Sequence, residues 1–101
     1  MDDVFKCRGE KVSPKEVEAV LCELDGVAEA GVAGVPDPVD GMAVKAVLVP
    51  RAGAAISEAE VRQHCRARLE SHMVPKFIEL RAELPRTESG KLKRALLAET
   101  A

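Results

Sequence analysis

The spacing of apolar and polar residues at the start of the chain predicts a small hairpin. Residues 4–7 and residues 11–12 are short β-prone stretches, and residues 8–10 between them have the composition of a turn. Folding back at this turn pairs the two stretches as antiparallel strands. The hairpin is therefore the first element that we expect.

A helix is predicted immediately after the hairpin. Its apolar residues recur at the i, i+3, i+4 and i+7 spacing of a single helix face: Val17, Val20, Leu21 and Leu24. Ser13 and Glu16 have the spacing of a capping box, in which each side chain bonds a free backbone N–H group, and Pro14 suits the first helical turn. The Asp-Gly pair at residues 25–26 is expected to end this helix.

The central part of the chain predicts a second hairpin. Two β-prone runs, at residues 27–35 and 42–49, flank residues 36–41, which are rich in Pro, Asp and Gly. The two runs most simply pair as antiparallel strands. A third strand of the same sheet is expected at residues 76–80.

A second helix is expected between this hairpin and the third strand. Ser57 and Glu60 repeat the capping-box spacing, and the helix must stop before Pro75, which disfavours helical geometry at the preceding residue. The buried edge of this helix is predicted to carry three residues spaced four apart: Val61, Cys65 and Leu69. Three leucines predict a last short helix near the end of the chain: Leu92, Leu96 and Leu97.

Together these elements predict an α+β fold. It comprises an N-terminal two-stranded hairpin and a three-stranded antiparallel sheet covered by two to three helices. With 101 residues the chain is long enough for one hydrophobic core and too short for two, since domains usually hold roughly 100 to 150 residues. We therefore expect residues 1–101 to form a single domain.

The composition narrows the possible functions. The chain has 15 Lys and Arg against 17 Asp and Glu, and it lacks Trp and Tyr, so nucleic-acid binding through residues 91–94 is not supported. His64 and His72 have no partner at a useful spacing, and the three cysteines are interpreted as reduced thiols, so no metal site is expected. Without an apolar run of transmembrane length or a leader, we expect a cytoplasmic protein with no membrane partner.

One basic loop carries candidate chemistry. It spans residues 84–94, LPRTESGKLKR, in which Gly90 allows positive φ and lets Lys91 be presented at the tip, an arrangement that suits an anion. The upstream glycine of a Walker phosphate loop is missing. A lysine-rich surface loop is more often only solvated, so the loop by itself leaves both interpretations open.

Three segments resemble motifs of the adenylate-forming superfamily, which includes acyl- and aryl-CoA ligases, peptide-synthetase adenylation domains and firefly luciferase. Residues 84–94 resemble its last core motif, and residues 2–18, DDVFKCRGEKVSPKEVE, resemble its hinge segment and the hairpin that follows. Between them, GVPD at residues 34–37 resembles the usual strand exit of the family. The resemblance covers nearly the whole chain, in the family's order, and it identifies the chain as similar to the small C-terminal domain.

This resemblance implies a two-step enzyme. A carboxylate first attacks the α-phosphorus of ATP, giving an acyl adenylate and pyrophosphate, and a thiol then displaces AMP. Lys91 matches the motif lysine, whose ammonium group neutralises the charge that builds up in the first step, and Ser89 and Gly90 match the loop that supports it. Residues 84–94 would then be the catalytic lysine loop.

The resemblance gives the opening segment, residues 1–12, a complementary role. Asp2 matches the hinge about which the small domain rotates between the two steps. Lys6, Arg8 and Gly9 match the hairpin face that meets the pantetheine arm during thioester formation. The alternative for these three residues is a plain charged hairpin with no contact to substrate.

The implied cofactors and partners lie mostly outside this chain. They are ATP with Mg²⁺, CoA or a phosphopantetheine, a carboxylic acid substrate, and a large N-terminal domain in the same chain or in a separate subunit. The isolated chain is expected to be inactive and to hold no cofactor. Residues 85–91, PRTESGK, look more like CoA ligases; the alternatives are an adenylation-domain fragment that loads a carrier protein and a non-catalytic docking or regulatory module.

Overall fold

A computed structural model of the chain describes residues 3–99. The α+β class, the hairpin and the three-stranded sheet are confirmed. In chain order the elements are β1 (Phe5–Cys7), β2 (Glu10–Val12), α1 (Pro14–Leu21), β3 (Val27–Asp37), β4 (Gly41–Pro50), α2 (Glu58–Arg68), a 3₁₀ turn (Ser71–Met73), β5 (Phe77–Leu80) and α3 (Arg94–Leu97). Within these residues, no helix has both the length and the apolar composition needed to cross a bilayer.

The three-stranded sheet has the order β3-β4-β5 and is mixed. β3 and β4 pair antiparallel as predicted, but β5 runs parallel to β4, so the prediction of an antiparallel sheet is wrong for this strand. The reason is the connection. Because α2 lies between β4 and β5, it carries the chain back to the end of the sheet where β4 began, which is the crossover that parallel strands require.

The sheet is covered on both faces, and this explains the nearly continuous apolar run of β4. One face packs against α1 and α2 through a core that includes Val17, Leu21, Val32, Val44, Ala46, Leu48, Val61 and Cys65. The other face is covered by the C-terminal tail through Ala33, Val47, Val49, Leu84, Leu92 and Leu97. The tail that contains residues 84–94 is therefore fixed on the sheet by buried leucines.

The two predicted capping boxes differ in the structure. Ser57 caps α2 as predicted, because its Oγ accepts a hydrogen bond from the Glu60 N–H group at 3.1 Å. Ser13 occupies the same position before α1, but its side chain makes no capping bond. The Glu16 N–H group donates instead to the Ser13 carbonyl at 3.1 Å, so the donor that the hydroxyl would take is already used.

α2 has the buried edge that was predicted, whereas α1 is shorter than predicted. The buried edge of α2 is confirmed, with Val61, Cys65 and Leu69 at 0%, 0% and 9% exposure. The first helix ends at Leu21, earlier than the expected stop at residues 25–26. Leu24 still packs partly buried against the core, because single turns continue the chain beyond the helix.

Candidate functional site

Lys91 lies at the end of a tight turn that is closed by backbone hydrogen bonds. The Thr87 N–H group donates to the Lys91 carbonyl at 2.8 Å, and the Gly90 N–H group donates to the Thr87 carbonyl at 2.9 Å. Gly90 has a φ of 90°, and nothing lies within 4 Å of the position that a side chain would occupy. The backbone conformation, and not lack of space, therefore favours glycine here.

The Lys91 side chain is exposed. Among the bonds formed within residues 3–99, none involves its ammonium group. Its backbone N–H donates to the Thr87 hydroxyl at 3.1 Å, and the Ser89 hydroxyl lies 3.0 Å from the same oxygen. Thr87 is thus the residue that holds Lys91, and Ser89 acts through it. Thr87 was not among the residues predicted from the sequence, although hydroxyl side chains commonly bond the backbone within turns.

Arg86 ties this turn to the sheet. Its Nη2 atom lies 2.9 Å from Oε1 of Glu29 on β3, and its Nη1 atom donates to the Gly90 carbonyl at 3.1 Å. Arg86 also forms an isolated antiparallel bridge with Leu92, which closes the base of the turn. One side chain therefore connects the strand, the glycine and the base of the turn.

Leu92 and Leu97 seat the tail on the sheet, and Gly31 makes room for them. A Cβ atom at Gly31 would lie 2.8 Å from a methyl group of Leu97 and 3.2 Å from one of Leu92. Any side chain on this residue of β3 would push the leucines outward. The glycine in the strand therefore lets the residue that follows Lys91 pack against the sheet.

Arg94 provides a second anchor at the start of α3. Its Nη2 atom lies 3.0 and 2.9 Å from the two carboxylate oxygens of Glu18 on α1, and its Nη1 atom lies 3.0 Å from Oδ2 of Asp3. Glu18 thereby connects α1 to the C-terminal tail. In the sequence, Lys91 therefore lies between two arginines, Arg86 and Arg94, whose side chains are both held by carboxylates.

A cavity of about 390 Å³ lies beside Lys91 and is lined by Lys15, Arg86 and Arg94 as well. Arg86 is paired with one carboxylate, and Arg94 with two, from Glu18 and Asp3. Within the described part of the chain, Lys15 and Lys91 have no such partner. The ammonium groups of these two lysines are therefore the positive charges that remain available to an anion at this cavity.

The second group of candidate residues lies at the tip of the N-terminal hairpin. Arg8 and Gly9 form a two-residue turn with φ values of 53° and 80°, so both have the positive φ that tight hairpins require. Glu10 begins β2 and does not belong to the turn, in contrast to the sequence prediction. Lys6 and Arg8 have exposed side chains, and Gly9 has open space around its α-carbon.

The hairpin is fixed to the rest of the domain at its base and at its tip. Phe5 packs over Gly34 of β3, where a Cβ atom would come within 2.7 Å of the ring. The Arg8 N–H group donates to the Asp40 carbonyl at 3.1 Å, and the His72 ring lies 3.0 Å from the Lys11 carbonyl. His72 is therefore a buried side chain that connects the hairpin to the 3₁₀ turn.

A larger cavity, of about 560 Å³, lies beside the hairpin tip. Four Arg and Lys side chains line it, from Arg8, Arg62, Arg66 and Lys76, and Asp40 adds one carboxylate. This cavity shares no lining residue with the one beside Lys91. The structure thus separates Lys91 from the hairpin face, and the predicted hinge residue Asp2 lies outside the described residues. No cluster of three or more potential metal ligands occurs within residues 3–99.

These features define a small α+β domain with an exposed lysine on a braced turn and a basic hairpin beside a separate cavity. Residues 16–91 match the sequence profile of the AMP-binding enzyme C-terminal domain. The match covers well over half of the chain, so the chain belongs to this family.

Several curated proteins that match this chain are named as CoA synthetases or CoA ligases. The acetyl-coenzyme A synthetase of Bacillus subtilis is 43% identical over 100 residues, which cover 96% of this chain and 18% of that protein. The 4-hydroxybutyrate–CoA ligase 1 of Metallosphaera sedula is 43% identical over 99 residues, covering 95% and 18%. The chain therefore spans about a fifth of the length of these relatives.

Solved structures match the fold closely. The o-succinylbenzoate CoA synthetase of Bacillus subtilis, in complex with its acyl-adenylate intermediate, superposes with a TM-score of 0.92 at 35% identity, covering 98% of this chain and 20% of that one. ATP-bound MatB from Rhodopseudomonas palustris gives a TM-score of 0.91 at 34% identity, covering 96% and 19%.

Proposed function

We propose that this chain is the mobile C-terminal domain of an ATP-dependent, AMP-forming acyl- or aryl-CoA ligase. Residues 84–94 would be its catalytic lysine loop, and residues 1–12 its hinge and hairpin. The observation that carries the proposal is the Lys91 ammonium group, which is exposed and unpaired within the described residues on a turn held by two arginine anchors. The names of the relatives favour CoA over a carrier protein as the acceptor.

Lys91 would act in the adenylation step by stabilising charge. When a carboxylate oxygen approaches the α-phosphate of ATP, two anionic groups are pressed together. A compact ammonium group between them neutralises charge that is larger in the transition state than in the ground state. Lys91 need not transfer a proton for this. Its turn is braced before substrate arrives, so little reorganisation is needed when the charge develops.

The hairpin would serve the thioester-forming step. Gly9 lacks a side chain and lets backbone run beside the pantetheine arm, while Lys6 and Arg8 face the charged groups of CoA. The basic cavity beside Arg8 supports this assignment, because CoA carries several phosphate groups. Rotation about Asp2 would exchange Lys91 for the hairpin at the active site. Arg8 and Lys91 line separate cavities, which fits such an exchange.

The remaining parts of the reaction would belong to a large N-terminal domain. Such a domain would hold ATP with Mg²⁺ and the carboxylic acid, and it would select the acid. It could be part of the same polypeptide or a separate subunit, and we propose a cytoplasmic location for the enzyme. The chain alone would then be inactive, because it would lack the nucleotide pocket.

The proposal is tested by replacing Lys91 in the whole enzyme and measuring the two half-reactions separately. Lys91→Ala should lower ATP–pyrophosphate exchange by about 10² to 10³, the usual cost of losing one preorganised charge. Thioester formation from a preformed acyl adenylate and CoA should stay largely intact. Lys93→Ala is the matched control, because Lys93 is an exposed lysine two positions away whose backbone bond to the Pro85 carbonyl survives the change.

Two results would contradict the proposal. One is an equal loss of both half-reactions in Lys91→Ala, which would indicate general damage to the domain. The other is a loss of pyrophosphate exchange in Lys93→Ala as large as that in Lys91→Ala. The lysine loop would then act only through its overall positive charge, as expected for a docking module without a catalytic lysine.

A further inference from the structure

Asp37 has an unusual set of contacts at the end of β3. Its side chain is only 5% exposed, and its Oδ2 atom accepts hydrogen bonds from the N–H groups of Val39 at 3.1 Å and of Asp40 at 2.9 Å. A carboxylate that bonds the backbone two and three residues ahead fixes the shape of a turn. The β3–β4 turn, residues 37–41, is therefore held from within by its first residue.

Lys76 holds the same carboxylate from the other side. Its Nζ atom lies 2.9 Å from Oδ1 and 3.1 Å from Oδ2 of Asp37, and 3.8 Å from Oδ2 of Asp40. Lys76 comes immediately before β5, so the ion pair connects the β3–β4 turn to the strand on the far edge of the sheet. Asp37 is therefore fixed by charge as well as by the backbone.

The β3–β4 turn in turn contacts the hairpin tip. The Asp40 carbonyl accepts the hydrogen bond from the Arg8 N–H group at 3.1 Å. Arg8 has a φ of 53°, which non-glycine residues rarely adopt and which persists only when the surroundings hold it. The position of the Asp40 carbonyl thus helps to hold Arg8 in this strained conformation, which shapes the hairpin tip next to Gly9.

We propose that Asp37 is a positioning residue for the thioester-forming step, because it holds the β3–β4 turn in the shape that fixes the Arg8–Gly9 tip. The inference rests on the proposed function, since it assumes that this tip meets the pantetheine arm. Asp37 contacts no reacting group itself. Its effect is confined to the second half-reaction, because the Lys91 turn is braced by different residues, Glu29 and Glu18.

The test is carried out in the whole enzyme with Asp37→Asn and Asp37→Ala. Asparagine keeps an oxygen that can accept from the turn but loses the charge that pairs with Lys76, whereas alanine loses both contacts. With isolated acyl adenylate, we expect kcat/KM for CoA to fall roughly ten-fold in Asp37→Asn and further in Asp37→Ala, as expected for displacement of a positioned group. ATP–pyrophosphate exchange should stay within about two-fold of the unmodified enzyme.

Val39→Ala is the matched control for this series. It shortens a side chain in the same turn that is 82% exposed and lines neither cavity, and it leaves the backbone bond from Val39 to Asp37 and the other contacts of Asp37 in place. Both half-reactions should stay within about two-fold of the unmodified enzyme. All variants are assayed at a temperature at which circular dichroism shows them folded, so that loss of activity does not report unfolding.

The outcomes separate this inference from the proposed function. Equal losses of both half-reactions in Asp37→Ala, or a loss of thioester formation in Val39→Ala as large as that in Asp37→Asn, would overturn the role of Asp37 and leave the role of Lys91 untouched. If Lys91→Ala also leaves pyrophosphate exchange unchanged, the proposed function itself fails. A selective loss of thioester formation that grows from Asp37→Asn to Asp37→Ala supports the inference.

Discussion

Arg94 and Glu18, separated by 76 positions in the sequence, together occupy the outer edge of β3 at Val32. Glu18 Oε2 accepts the Val32 N–H at 2.8 Å, and Arg94 Nε donates to the Val32 carbonyl at 3.2 Å. The ion pair thus takes the donor and the acceptor that a neighbouring strand would otherwise pair. It covers part of an exposed sheet edge and fixes the tail of the Lys91 loop at the same time.

Loss of this pair should destabilise the chain substantially. Both side chains are 16% exposed, so removing the charge of Glu18 leaves Arg94 partly buried with only the more exposed Asp3 as a partner. We expect Glu18→Gln to lower the free energy of unfolding by about 1.5 to 3 kcal/mol, measured by urea denaturation of the chain. The physical reason is that glutamine cannot supply the negative charge that compensates Arg94.

Glu29→Gln provides the comparison. Glu29 also pairs with an arginine of the tail, but this pair is exposed, at 43% for Glu29 and 41% for Arg86. Screening by water limits such a pair to about 0 to 1 kcal/mol. If Glu29→Gln cost as much as Glu18→Gln, burial would not be what makes the Arg94 contact strong.

The two serines that precede helices should respond differently to replacement by alanine. Ser57 accepts a hydrogen bond from the Glu60 N–H, whereas the side chain of Ser13 makes no capping bond. Ser57→Ala should therefore lower the free energy of unfolding by about 1 kcal/mol, while Ser13→Ala should cost clearly less. Thermal unfolding of the two variants, monitored by circular dichroism, gives the comparison. Equal losses would show that the Ser13 hydroxyl caps α1 in solution.

The difference between these serines shows how far local sequence patterns reach. The spacing of Ser57, Glu60 and Val61 correctly gave the start and buried face of α2, because these features depend on residues a few positions apart. The same pattern at Ser13 correctly predicted the start of α1 but not a side-chain cap, because a backbone carbonyl competes for the same donor. Local spacing identifies the candidates for a bond, and the three-dimensional arrangement decides which of them forms.

The features that the sequence did not predict depend on distant residues. The parallel direction of β5 follows from the path of α2 across the sheet. The prediction of an antiparallel strand did not take the crossover by this helix into account. The contacts of Lys76 with Asp37 and of Arg94 with Glu18 join residues on different elements. Lys91 and the hairpin residues were chosen by resemblance to a family, and how they are supported became visible only in the folded chain.

Gly90 should be needed for its backbone conformation. Its φ is 90° and the space around it is open, so alanine would meet no clash but would be strained. We expect Gly90→Ala to lower the free energy of unfolding of the chain by about 1 kcal/mol and to slow ATP–pyrophosphate exchange in the whole enzyme. The second effect arises because relief of the strain changes the direction in which Lys91 is presented.

Gly53 offers a control with the same backbone penalty. It lies in the loop after β4 with a φ of 79° and open space around it, and it lines neither the cavity beside Lys91 nor the one beside the hairpin tip. Gly53→Ala should lower stability to a similar extent and leave pyrophosphate exchange unchanged. Slower exchange in both variants would mean that the loss follows stability and not the geometry of the Lys91 turn.

The Asp37–Lys76 pair should make stability depend on pH at both extremes. The hydrogen bond from the Asp40 N–H and the contact with Lys76 lower the pKa of Asp37 from its ordinary 3.8, and the contact with Asp37 raises the pKa of Lys76 from 10.5. A lowered carboxyl pKa gives stability that is present above 3.8 and is lost as the pH falls through the lowered value. A raised lysine pKa gives stability that is present below 10.5 and is lost as the pH rises through the raised value.

The acid limb of this dependence can be measured directly. In urea denaturation from about pH 5 to about pH 2, the free energy of unfolding should fall less steeply in Asp37→Asn than in the unmodified chain, because the variant has no carboxyl group to protonate at this position. Asp40→Asn removes a nearby carboxylate but keeps the contacts of Asp37, and should retain the slope that those contacts produce. Identical slopes in Asp37→Asn and the unmodified chain would mean that Asp37 titrates as it does in the unfolded state, and that the turn is held by other contacts.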